Sequence, residues 1–130
     1  MRKLLLVVMT TLALTGCASM DGVIPSFWDD NQSAKAIDIR VAVSQLDCEK
    51  PQHPQAKNIQ GEIQWFVYYS EAKGYLQKDV LKLMQPMKDT VDDFVNRTQE
   101  KDASVTYCNI KKKLMTEQAT MVSKGVLGRY

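Results

Sequence analysis

At 130 residues, 45% hydrophobic and 25% charged, the chain has the size and composition of one ordinary globular domain. Its formal charge of +2 comes from Arg2 and Lys3 at the extreme N-terminus, so that residues 17 to 130 sum to 2 − 2 = 0. A neutral domain lacks the cationic excess with which proteins meet phosphates, which excludes nucleic acid as the expected partner.

The first element in chain order is a secretory signal. Arg2 and Lys3 precede an apolar run from Leu4 to Leu14 that only Thr10 and Thr11 interrupt, and small residues stand just before Cys17. The run is too short to span a bilayer, which takes ~20 apolar residues. The box Leu14-Thr15-Gly16-Cys17 resembles the lipobox of bacterial lipoproteins. That resemblance implies cleavage after residue 16, a diacylglyceryl thioether on the Cys17 sulfur, and acylation of the new amine with a fatty acid such as palmitate. Ala18 and Ser19 lack the aspartate that retains many such proteins in the inner membrane. The implied address is the inner leaflet of the outer membrane, with the domain facing the periplasm. The covalent lipid on Cys17 is then the only prosthetic group expected, and several acyl chains at about 0.8 kcal/mol per buried CH₂ make a stable anchor.

Residues 17 to 32 read as the lipidated cysteine and its tether, followed by a helical periplasmic domain over residues 33 to 130. Gly22, Pro25, Asp29, Asp30 and Asn31 give the tether no sustained period, and its maximum reach is ~50 Å. Phe27-Trp28 is expected to pack as a lid on the start of the first helix, with contact to lipid headgroups as the alternative, and Asp29, Asp30 and Asn31 form an N-cap cluster. From Ser33 to Cys48 the pattern is double. Ile37, Ile39, Val41 and Val43 alternate as in a strand, whereas Ile37, Val41 and Cys48 share one helical face and Ile39, Val43 and Leu46 the opposite one. Length, the cap, and the lack of a second alternating segment favour a helix buried on two sides, with a strand as the alternative.

Glu49 to Gln55, with Pro51 and Pro54, reads as a loop carrying a solvent-facing His53. The second helix, Ala56 to Lys73, has a core stripe of Ala56, Ile59, Ile63, Phe66, Val67 and Ser70 and stops at Gly74. Its other stripe holds Trp65, Tyr69 and Ala72, with Tyr68 beside them and Tyr75 after the turn. Tyr and Trp are favoured anchors of binding surfaces, so Trp65, Tyr68, Tyr69 and Tyr75 form the candidate partner site; cover by a neighbouring helix is the competing reading. The third helix, Leu76 to Thr98, has the cleanest period of the chain, through Leu76, Val80, Leu83, Met84, Met87, Val91, Phe94 and Val95. Pro86 should kink it and could open a pocket beside Met84 and Met87. Asp92 and Asp93 fall on its polar side, where two carboxylates serve solubility.

Asp102 or Ser104 caps the last helix, Val105 to Val126, whose stripe is read through Cys108, Leu114, Met115, Met121 and Val122, with Lys111-Lys112-Lys113 as a solvated basic run. With Cys17 taken by lipid, Cys48 and Cys108 remain in a compartment that permits disulfides. A zinc set of Cys48, His53 and Cys108 has no recognised spacing, so no metal is expected. Four helices running up, down, up, down bring Cys48 and Cys108 to the same end of neighbouring helices. The expected fold is therefore an all-α four-helix bundle with one intramolecular disulfide, pairing between molecules being the alternative.

This layout, with one cysteine closing the first helix, Lys73-Gly74-Tyr75 after the second and Cys108 opening the last, resembles the helical pilotins of type II secretion. The resemblance implies an outer-membrane adaptor that binds a segment of an envelope protein, an amphipathic helix being the fitting shape. Phage and prophage lipoproteins of similar length, acting in lysis as the outer-membrane spanin subunit or in superinfection exclusion, are the alternative class. Catalysis is not expected, nor is a small-molecule substrate, because the one histidine has no nucleophile at a recognisable spacing and no phosphate loop is present.

Overall fold

The computed structural model describes residues 29 to 129, so the signal, Cys17, Phe27 and Trp28 lie outside the described residues. Among the described residues there are four α-helices and no strand: α1 Asp30–Ser44, α2 Gln52–Ala72, α3 Lys78–Thr98 and α4 Val105–Leu127, with a short 3-10 turn at Tyr75–Gln77 before α3. Each helix packs on the next, and α4 packs back on α1. Every one of these contacts is antiparallel. Lys35 of α1 meets Glu62 of α2, Gln60 of α2 meets Asp92 of α3, Asp93 of α3 meets Lys111 of α4, and Arg40 of α1 meets Ser123 of α4. The fold is the expected all-α bundle with up-down-up-down topology.

Local chemistry fixes the helix ends. Asp29 caps α1 by accepting the Gln32 N–H at 3.0 Å, and Ser104 caps α4 by accepting that of Tyr107 at 3.1 Å. Helix α2 has no side-chain cap of its own. Asp102, from the loop before α4, instead accepts the Gln52 N–H at 2.9 Å, so Asp102 serves another helix than the one it was read to start. Gly74 ends the α2 turn at φ +96°, a conformation that favours glycine.

The helix limits depart from the expected ones in physically simple ways. Helix α1 runs from Asp30 to Ser44 rather than Ser33 to Cys48, because Asp29 caps three residues earlier than the hydrophobic pattern begins. Helix α2 starts at Gln52, so Pro54 and His53 lie in its first turn and not in a loop. A proline is tolerated there because a first-turn N–H has no helical partner to lose. His53 is half-buried, with Nδ1 3.4 Å from the Thr98 hydroxyl oxygen.

One core runs through the bundle, with Phe66, Phe94, Ile39, Ile59, Ile63, Met84, Met87 and Met115 all essentially inaccessible. Met84 and Met87 are fully buried core, and α3 continues unbroken through Pro86. Two core expectations fail. Helix α1 is buried on one side only, through Ala36, Ile39 and Val43, leaving Ile37 and Val41 exposed; on α4, Leu114 and Met121 are exposed while Met115, Ala119 and Val122 are buried. In both cases the core takes the residues centred between two neighbouring helices, and a pattern of apolar spacing alone does not reveal that centre.

At one end of the bundle, Cys48 and Cys108 form a disulfide with a Cα separation of 5.7 Å. Beside it the buried Gln52 amide bridges both loops, donating to the Cys48 and Ala103 carbonyls at 3.1 and 3.0 Å and accepting from the Ala103 N–H at 3.0 Å. Closing a loop of 60 residues stabilises the fold by about 4 kcal/mol on the chain-entropy model. Urea melts of Cys48→Ser/Cys108→Ser are expected to show a loss of about that size; a loss below about 1 kcal/mol would mean that the helices hold this end without the bond.

Candidate functional site

The structure brings two of the four aromatic candidates together and leaves the other two apart. Trp65 and Tyr69, one turn apart on α2, stack with ring centroids 4.8 Å apart and planes 8° from parallel. Both lie on the side of α2 that meets α1. Lys35 of α1 lies over the Trp65 ring at 5.0 Å from its centroid while pairing with Glu62 at 2.6 Å, and Lys73 lies 5.9 Å from the Tyr69 centroid. Trp65 keeps 42% of its surface accessible, so the indole is a half-open platform. Tyr68, on the flank nearer α3, and Tyr75, after the turn, are 63% and 75% exposed. All of these rings therefore border solvent, and none is part of the buried core.

Tyr69 has a second task, which the sequence stripe did not reveal. Its hydroxyl donates to Asp29 Oδ2 at 3.1 Å and accepts from the Asn31 amide at 3.0 Å. Asp29 is the α1 cap, and the same Oδ2 pairs with the Lys73 ammonium at 2.9 Å. The first residue of the described domain is thus fastened to the C-terminal end of α2. Behind this junction Gln32 Nε2 donates to Ser70 Oγ at 2.9 Å and to Gln77 Oε1 at 3.2 Å, and Gln77 also accepts from Arg129 at 2.7 Å. Burial acts to raise the Asp29 pKa, but hydrogen bonds from the Gln32 N–H, Lys73 and Tyr69 outweigh it and hold the carboxyl below its ordinary value. Pairing with Asp29 raises the Lys73 ammonium correspondingly.

Other singled-out residues turn out to be structural. Cys48 and Cys108 are bonded to each other and offer no thiolate to a metal, and no described cluster of His, Cys, Asp and Glu could hold one. The basic run is only partly solvated. Lys111 pairs with Asp93 at 2.8 Å and Lys112 donates to the Leu46 carbonyl at 2.6 Å, leaving Lys113 exposed. Asp92 and Asp93 also hold neighbours: Asp92, half-buried, accepts from Gln60 and Lys88, while Asp93, which does face solvent, accepts from Lys111 and Tyr107. A shallow cleft of about 410 Å³ beside the disulfide, lined by residues such as Leu46, Cys48, Val105 and Lys112, lies away from the aromatic platform. No described helix is long and apolar enough to cross a membrane.

Compared with protein-family models, with curated proteins and with solved structures, the chain matches none.

The carboxylates set an acid limit on the fold. Asp29, Asp92 and Asp93 all sit below the ordinary carboxylate range: in Asp92 the bonds from Gln60 and Lys88 outweigh burial, and in Asp93 the bond from Lys111 is the main cause. A depressed folded-state pKa means the unfolded chain takes up these protons first. The stability they supply is complete above about pH 5 and drains as the pH falls through the folded values. Urea midpoints are expected to fall steeply below about pH 4, and Asp29→Asn should lower the neutral-pH midpoint and flatten the acid limb. An unchanged acid limb in Asp29→Asn would show that the cap carboxylate is not among the groups responsible.

Proposed function

We propose that this chain is a lipid-anchored envelope protein that acts by binding and not by catalysis: a helical adaptor held through Cys17 to the inner leaflet of the outer membrane, which captures an amphipathic segment of another envelope protein on the Trp65 face. The observation that carries the reading is the stacked Trp65–Tyr69 platform, half-open on a bundle whose core is complete without it. Large aromatic rings that stay accessible on a small domain, with cationic heads over their faces, offer an apolar and cation-rimmed lip to a partner helix. The anchor part of the reading rests on the resemblance of Leu14-Thr15-Gly16-Cys17 to a lipobox. The pilotin-like part rests on the helical layout with its single disulfide.

The two parts are separable by experiment. Cys17→Ser should abolish labelling by radioactive palmitate and leave uncleaved precursor; continued labelling would remove the anchor. For the platform, a photo-crosslinking amino acid at Tyr68 in intact cells should give an adduct with one envelope protein, and Trp65→Ala should reduce that adduct as an anchor truncation of about 2 kcal/mol does. An adduct unaffected by Trp65→Ala would contradict the site.

A further inference from the structure

The outward face of α4 carries a pattern that neither the core nor the Trp65 face uses. Ile110, Leu114, Glu117, Met121, Lys124 and Gly128 follow one another at intervals of four, three, four, three and four residues, the spacing of a coiled-coil seam. All six are exposed, Ile110 by 62%, Leu114 by 39% and Met121 by 56%. The core of α4 is made by a different set, Cys108, Met115, Ala119, Val122 and Val126, so the seam faces away from the bundle. Neither Glu117 nor Lys124 pairs with another described residue.

We propose that this seam binds a second copy of the chain, α4 against α4 in antiparallel orientation. The charges select both the occupant and its direction. In a parallel pair each layer meets itself, setting Glu117 on Glu117 and Lys124 on Lys124, two like-charge contacts. In an antiparallel pair with its twofold axis between Glu117 and Met121, Ile110 of one copy lies over Gly128 of the other. Leu114 then lies along the alkyl stem of Lys124, and Met121 lies over Glu117. The Glu117 carboxylate is left one turn from the Lys124 ammonium of the second copy. The face is therefore complementary to itself in shape and in charge, as a twofold interface must be.

Glycine closes the seam at one end, since Gly128 leaves room for Ile110. Gly125, on the flank toward α3, has its backbone against the Leu83 side chain, so this close approach of α4 to α3 lies off the seam. Helices α2 and α4 are diagonal in the bundle, packing on common neighbours and not on each other. The dimer accordingly leaves both Trp65 faces free, and it stands whether or not those faces bind a partner.

The test uses the full chain in intact cells and the same protein purified in mild detergent. A photo-crosslinking amino acid at Met121 should yield an adduct at twice the protomer mass whose peptides come from this chain alone, and detergent-corrected sedimentation should show a reversible dimer. Leu114→Asp should abolish both signals, with its circular dichroism unchanged because Leu114 is on the surface. Glu117→Lys should raise the dissociation constant by about tenfold, and Glu117→Lys/Lys124→Glu should restore it, because the swap rebuilds the opposite-charge pair only in the antiparallel register. A monomer at all concentrations, a Met121 adduct containing a different protein, or a double swap as weak as the single change would each overturn the proposal.

Discussion

The link on which the rest of this structure depends is the closure of α4 onto α1 at the Cys48–Cys108 end. Four helices in sequence pack naturally as three antiparallel pairs, each joined by a short connection. The fourth contact, between the first helix and the last, joins half-cystines 60 positions apart in sequence and must overcome the entropy of closing that loop. The disulfide lowers that cost in the unfolded chain. The Gln52 amide, satisfied by the Cys48 and Ala103 carbonyls and the Ala103 N–H, holds the two loops beside it in register. With the ring closed, every helix has two neighbours, and the apolar surface left outside is surplus to folding.

At the opposite end the chain is fastened by polar groups instead of a covalent bond. Asp29 caps α1, accepts the Tyr69 hydroxyl and pairs with Lys73. The tether would lead into the domain at this point, so load on an anchored Cys17 would reach the fold beside the aromatic platform and not at the disulfide. Asp29 and Asn31 both bond to the Tyr69 hydroxyl, so the start of α1 is joined directly to the proposed binding face. Tyr69 is the shared element, its hydroxyl fixing the junction and its ring backing Trp65.

How much of this could be read from sequence depended on whether a helix has one apolar side or several. Helix α3 was the most legible, since Val80, Met84, Met87, Val91, Phe94 and Val95 of its expected stripe are all buried; the helix starts at Lys78 and not at Leu76, which falls in the 3-10 turn, and Leu83 is only partly buried. Helices α1 and α4 each carry two apolar stripes. Spacing alone assigned Ile37 and Val41 to the core, and it merged Leu114 and Met121 with Met115 and Val122; burial separates them. The disulfide followed from counting cysteines and from the topology. The buried glutamines at 32, 52 and 77 left no trace, because a polar side chain becomes interior only through partners that folding supplies. Asp29 was legible as a cap, yet its bonds to Tyr69 and Lys73 span some forty residues and could not be inferred from local pattern.

The central claim is that Trp65 and Tyr68, on the outer side of α2, are not needed for folding and are therefore available for binding. Urea melts of Phe66→Ala, Trp65→Ala and Tyr68→Ala test it side by side, since the three neighbours share one helix and differ in which way they point. Phe66 is fully buried while Trp65 and Tyr68 are 42% and 63% exposed. The account predicts a loss of about 3–5 kcal/mol for Phe66→Ala and no more than about 1 kcal/mol for each of the other two. Comparable losses at all three positions would place Trp65 and Tyr68 in the core and contradict it.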